Sequence, residues 1–331
     1  MQDLFRRLVG GRSGPPHDAP AGPGSPPSGG PASGAPFTRD ELPALLGEKP
    51  ALAEFVAGRS DSVPESAGVL PLAEAGLWLT FFGDAPRAAA AFRAAAAALR
   101  PEARIGAADA LALAGRESLP VEAGAKVGLY LALAGDEAAA RRFWQDTVEQ
   151  YGPLVDPAAA PAALAAGAWS AWRERLDEIE RGGPGVNRAP DAEPRDPAKL
   201  GRIGAFLSYA LLRLGDSGRA SALLDLEAAL RTAAPDAQLK RYYADTGTLS
   251  GALAAVLRGI VRPDAPAGGK GAPSLAVALR SYLKPPHPEA QAFTLDLQRA
   301  FPDRVPAVLP PADLTEALGG RARKRLEEAR R

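Results

Sequence analysis

In the 331-residue chain Glu174, Asp177, Glu178 and Glu180 form a carboxylate cluster, where paired carboxylates would support general acid-base chemistry or hold a cation. Their alternation with Arg173, Arg175 and Arg181 points instead to a solvated helix face laced by exposed ion pairs. His17 and His287 have no acid, serine or metal partner nearby in sequence, which favours solvated or loop-capping roles. With no cysteine there is no disulfide, thiolate nucleophile or thiolate zinc site. Gly268-Gly269-Lys270-Gly271 has the flavour of a phosphate loop, but Asp264 stands where the first glycine belongs and Gly271 where Ser or Thr must follow the lysine. Lys240-Arg241-Tyr242-Tyr243 mixes charge and aromatics as nucleic-acid surfaces do, yet within one helix the tyrosines are better explained by packing. No catalytic residue, metal ligand or cofactor is therefore expected.

The chain around these residues is that of a folded protein with tails. Apolar residues make up 46% of the chain, enough for a sizeable core. The 39 basic and 39 acidic residues cancel, so no global field draws the protein to nucleic acid, and none is expected as a partner. No stretch reaches the roughly twenty strongly apolar residues of a membrane helix. Residues 156–172 are mostly alanine, and Leu249 to Val261 is short and carries Arg258. Without a secretory signal in the opening MQDLFRRLV, the expected location is cytoplasmic, with peripheral attachment to the inner membrane face as the variant.

Residues 10–36 are mostly Gly and Pro with no aromatic and no branched aliphatic residue, and are expected to be a disordered linker. As a flexible coil it would give residues 1–9 a reach on the order of 30 Å. In that segment Met1, Leu4, Phe5 and Leu8 share one helical face beside Arg6 and Arg7, the pattern of a short amphipathic docking helix. A frayed end that binds nothing is the alternative, and any membrane contact would run through this segment and be weak.

The body is expected to be all-α, because no segment alternates with period two. Helices are expected near residues 38–46, 50–58, 67–82, 87–100, 103–114, 120–134, 137–151 and 158–181, and, after a boundary or loop at 182–197, near 198–214, 217–233, 236–261, 273–283, 288–301 and 311–330. This divides the body into helical regions 37–181 and 198–331. The last eleven residues, Arg321 to Arg331, hold six basic residues and two glutamates and read as an exposed charged helix end.

Three pairs of helices meet at a Gly-Asp step: Gly83-Asp84, Gly135-Asp136 and Gly215-Asp216. Glycine there can end one helix in the left-handed conformation, and aspartate can cap the next. Seven positions before each turn glycine stand Gly76, Gly128 and Ser208, and five after it Ala88, Ala140 and Ala220, small residues that allow a close crossing. Nine positions after it come Phe92, Trp144 and Leu224.

In these positions the chain resembles the tetratricopeptide-repeat family. Gly76, Gly83, Ala88, Phe92 and Ala95 fit five places of its motif, with Pro101 one residue from the family's closing proline. The second hairpin departs at Thr147, and the third at Ser208, Leu224 and Glu227. The hairpins are 52 and 80 residues apart rather than the family's roughly 34, which predicts an irregular α-solenoid of antiparallel hairpins with inserted helices.

The resemblance implies a concave groove lined by the first helix of each hairpin: Leu70, Ala73, Leu77, Thr80 and Phe81; Glu122, Ala125, Leu129, Ala132 and Leu133; Arg202, Ala205, Tyr209, Leu212 and Arg213. So apolar a strip is filled either by a partner helix or by inserted helices of the same chain. Glu122, Arg202, Tyr209 and Arg213 are the groove residues expected to reach a ligand, with Leu4, Phe5 and Leu8 making a second contact from the tether. The expected function is that of a non-enzymatic protein-protein interaction module or assembly adaptor. Its expected partner is a protein presenting a peptide or amphipathic helix, with a membrane-associated recruiting factor or an enzyme of unrecognised type as alternatives.

Overall fold

The structure, a computed structural model, describes residues 49–104, 120–155, 197–233, 249–262 and 288–305, all within one compact unit, Pro31–Arg331. Among the described residues every regular element is helical: α1 (Pro50–Ala57), α2 (Val69–Phe81), α3 (Ala85–Ala103), α4 (Pro120–Leu133), α5 (Glu137–Tyr151), α6 (Pro197–Leu214), α7 (Ser217–Ala233), α8 (Leu249–Val261) and α9 (Pro288–Ala300), with 3-10 turns at Glu65–Ala67 and Gly152–Leu154. No helix among them is long and apolar enough to cross a membrane.

Proline starts α1, α4, α6 and α9, where its missing N–H is no loss because the first turn has no carbonyl to bond. Five expected helices are recovered with ends shifted by two residues or fewer, and α5 and α7 match at both ends. Helix α3 is longer than expected because it continues through Pro101 to Ala103. The proline sits in the last turn, opposite the exposed Ala97, whose carbonyl water can satisfy. Of the helix expected at 236–261, Leu249–Val261 is described. The expected helices at 38–46, 158–181, 273–283 and 311–330, nearly all of that at 103–114, and the linker and N-terminal segment lie outside the described residues.

The three Gly-Asp turns share one construction. Gly83, Gly135 and Gly215 have φ of 76°, 84° and 94°, a left-handed backbone that a side chain would strain. At each, the aspartate N–H reaches back to close the preceding helix: Asp84 to the Leu79 carbonyl at 2.8 Å, Asp136 to Leu131 at 2.9 Å, Asp216 to Leu211 at 2.9 Å. The aspartate Oδ1 then accepts the N–H of Arg87 (3.3 Å), Ala139 (3.1 Å) or Arg219 (3.0 Å), capping the next helix.

Close crossing of the paired helices follows from the small residues. A Cβ built on Gly76 would stand 2.7 Å from the Phe92 ring, and one on Gly128 would stand 2.1 Å from the Trp144 indole nitrogen. Both rings are fully buried, and the indole N–H donates to the Ala125 carbonyl at 3.2 Å. In the third hairpin Ser208 takes the glycine's place, its hydroxyl bonding the carbonyls of Gly204 (2.6 Å) and Ala220 (3.3 Å). Glu227, out of place by the repeat pattern, is buried and pairs with Arg258 of α8, which packs on α7 and α6.

The hairpins stack directly: α3 packs on α4, α5 on α6, and α4 on α6. The long sequence intervals between hairpins therefore do not hold them apart. Arginines tie neighbours together by bonding helix-end carbonyls left without intrahelical donors. Arg93 of α3 reaches Ala134 after α4 at 3.4 Å, and Arg141 of α5 reaches Arg213 and Leu214 at the end of α6, both at 3.2 Å.

Candidate functional site

The groove implied by the first helices holds a helix of the chain itself. Helix α9 packs on α2 and α4, touches α8, and meets α6 through side chains. It runs in the same direction as α4, since Glu289 near its start meets Lys126 and Arg299 near its end bonds the Leu133 carbonyl at 3.5 Å. Of the apolar groove residues, Ala73, Leu77, Ala125, Leu129, Leu133, Ala205 and Leu212 are buried, whereas Leu70 at the edge remains 43% exposed. The sequence left open a partner helix or inserted helices of the same chain; the helix seated here is instead α9, which follows the third hairpin.

At one end of the interface lies a cluster of four charges, two of each sign. The Lys126 ammonium stands 2.6 Å from Glu122, one helical turn earlier on α4, and 2.9 Å from Glu289 of α9. Arg202 of α6 reaches the other Glu122 oxygen at 3.2 Å. Lys126, Glu122 and Glu289 are all buried. Burial opposes charge on Lys126, but the carboxylates of Glu122 and Glu289 outweigh it and hold the pKa above that of a free lysine.

The other end is built around Asp296, 3% exposed. Its carboxylate accepts the Tyr209 hydroxyl at 2.6 Å and stands 3.1 Å from the Arg213 Nε, close enough for charge pairing though not aligned as a hydrogen bond. Burial pushes the Asp296 pKa up to about 6, against the opposing pull of Arg213 and the Tyr209 hydroxyl. Arg213 also pairs with Glu137 of α5 at 2.8 Å and lies over the Trp144 ring at 4.8 Å from its centroid. Burial works against its charge, and Asp296 leads the groups that reverse this and raise its pKa.

Aromatic contacts connect the two ends. Phe293 of α9 meets the Tyr209 ring edge-on at 4.8 Å and the Phe206 ring at 6.3 Å, and Tyr209 meets Trp144 edge-on at 5.8 Å. Glu289, Phe293 and Asp296 thus form one face of α9 at positions i, i+4 and i+7, each with a partner on the groove wall. Between them the Gln291 side chain is fully buried with neither amide atom hydrogen-bonded. Burying a polar group without a partner costs roughly 1–3 kcal/mol.

Glu122, Arg202, Tyr209 and Arg213 therefore do meet on one surface, and that surface is engaged by α9. Leu4, Phe5 and Leu8 lie outside the described residues. Sequence reasoning missed Lys126, Glu289 and Asp296. A signal existed for Lys126, a lone lysine four residues after Glu122 in an otherwise apolar helix. None existed for the α9 acids, because its mixture of polar and apolar residues reads as a surface helix. Among the described residues no group of three or more His, Cys, Asp or Glu is placed to hold a metal ion.

No protein-family model, no curated protein and no solved structure matches the chain.

Proposed function

We propose that this chain is a non-enzymatic protein-protein interaction module or assembly adaptor, built as an irregular tetratricopeptide-repeat-like stack whose groove receives a helix. The observation that carries the reading is the seat of α9. A groove lined by the first helices of three hairpins accepts an amphipathic helix through two polar anchors, Lys126 with Glu289 and Tyr209 with Asp296, flanking the buried Phe293. The like construction of the three turns and the Gly76–Phe92 and Gly128–Trp144 interlocks support the family likeness. The charged groups of the groove are engaged with one another, which supports recognition over bond-making chemistry.

Leu70 provides the test, being an exposed apolar residue at the groove's edge. A photo-crosslinking residue at Leu70 of the full chain, introduced in source cells, is expected to capture a defined protein, whereas the same residue at the exposed Arg142 of α5 is not. Equal or absent capture at the two positions overturns the reading.

A further inference from the structure

Building on that reading, we propose that α9 is a removable stand-in for a partner's helix. The groove then takes an acidic amphipathic helix that presents Glu, Phe and Asp at positions i, i+4 and i+7.

The composition of α9 supports removability. All side chains from Pro288 to Thr294 are buried, as are Asp296 and Leu297, so the helix is enclosed on nearly every side. Yet four of those residues are Glu289, Gln291, Thr294 and Asp296. A helix kept permanently inside a protein is best served by apolar side chains there, whereas one that spends time in water needs polar ones. Gln291 makes the point sharply, since its amide is unpartnered in the seat and water would satisfy it.

The groove wall states what the partner must carry. Without α9 it presents Lys126, Arg202 and Arg213 against Glu122 and Glu137, three positive charges against two negative, and Lys126 and Arg213 lose an acidic partner each. Residues seven apart on a helix are separated by about 10 Å on one face, so any partner helix with acids at that interval and an aromatic between them reproduces the seat. Departure of α9 need not dismantle the groove, because α3 packs on α4 and α5 on α6 without it.

The test uses the full-length chain and a labelled, end-blocked helical peptide of alanine and glutamine carrying only Glu, Phe and Asp at those positions. Saturable binding is expected, with amide exchange in α9 accelerated at least tenfold on addition of peptide. A peptide with Ala in place of Phe should bind at least tenfold more weakly. The full chain carrying Glu289→Gln and Phe293→Ala, which loosens the resident helix, should bind the first peptide at least tenfold more tightly than wild type. Should that variant fail to fold, exchange in the wild type decides: α9 amides that exchange no faster than those of α4 make α9 a permanent core element and overturn the proposal. A wild-type dimer that the peptide dissociates also overturns it, by assigning the groove to α9 of a second copy. Failure here with Leu70 capture intact leaves an interaction module that binds elsewhere, whereas failure of both removes that reading as well.

Discussion

At the scale of single residues, Gly128 and Gly204 sit in comparable helices with opposite consequences. Alanine has the higher helix propensity by about 1 kcal/mol, so both changes to alanine gain locally. At Gly128 the new methyl would stand 2.1 Å from the Trp144 nitrogen, and the fully buried indole has nowhere to retreat. Gly128→Ala is expected to destabilise by about 1–3 kcal/mol. At Gly204 the nearest atom is the Leu223 carbonyl oxygen at 3.6 Å, an ordinary contact. Gly204→Ala should be neutral or stabilising by up to about 1 kcal/mol, and urea titration of the two variants checks both signs. Asp296 gives a pH dependence. Its pKa is about 6 in the fold, held there by burial against Arg213, Tyr209 and Arg299 and with Glu137 adding to the rise, compared with about 3.9 in an unfolded chain. The folded state therefore binds more protons between those values. The contribution of Asp296 to stability is greatest below about pH 4 and falls as pH rises through 6, by roughly 3 kcal/mol at most. Other carboxylates have their own slopes, so the measurable is the stability of wild type minus that of Asp296→Asn, which should decline from pH 4 to pH 7. A flat or rising difference would contradict the buried, poorly compensated carboxylate.

At the scale of elements, α9 is held by charge as much as by apolar contact. Replacing Lys126 with Met leaves Glu122 and Glu289 buried together without their shared cation. Stranding buried charges costs about 3–5 kcal/mol, whereas a neutral cluster of the same shape is far less costly. Lys126→Met is thus expected to destabilise by that amount, and Glu122→Gln with Glu289→Gln in the same chain to restore most of it. Equal losses in the single and triple variants would mean that packing of the lysine stem, and not pairing, dominates. The helix caps act more locally. Asp136→Ala removes the acceptor for the Ala139 N–H and should cost about 1 kcal/mol without altering the α9 seat, as amide exchange can report.

At the scale of the molecule, the hairpins form a stack in which α2–α3, α4–α5 and α6–α7 meet neighbours, while α9 crosses several of them at once. Stacks with nearest-neighbour contacts lose cooperativity easily, and one element that spans them restores it. The chain carrying Glu289→Gln and Phe293→Ala is expected to unfold with a lower urea m-value than wild type, or in two steps seen by tryptophan fluorescence and circular dichroism at different midpoints. An unchanged m-value with coincident midpoints would show that α9 adds nothing to the cooperativity of the stack. The docking helix expected at residues 1–9 belongs to this scale too. If Leu4, Phe5 and Leu8 serve a protein partner, wild type and Phe5→Asp should both stay in the supernatant when sedimented with anionic liposomes.

Local chemistry made much of this architecture legible. A glycine before an aspartate stops one helix and starts the next by bonds within a few residues, so the turns at Gly83, Gly135 and Gly215 needed no knowledge of distant chain. The small Gly76 and Gly128 were readable as sites of close helix crossing, but that Phe92 and Trp144 of the same hairpin fill the space over them was not. What no local pattern contained was the place of α9. Asp296 meets Tyr209 from 87 residues away, and Glu289 meets Lys126 from farther still. Amphipathicity states that a helix has a face to bury but not against what, and charges that look solvated in sequence become anchors only when folding removes the water. The sequence alone determined the hairpins and their Gly-Asp turns; the tertiary structure decided that α9 packs against the first helices, because that choice rests on contacts between segments far apart in the chain.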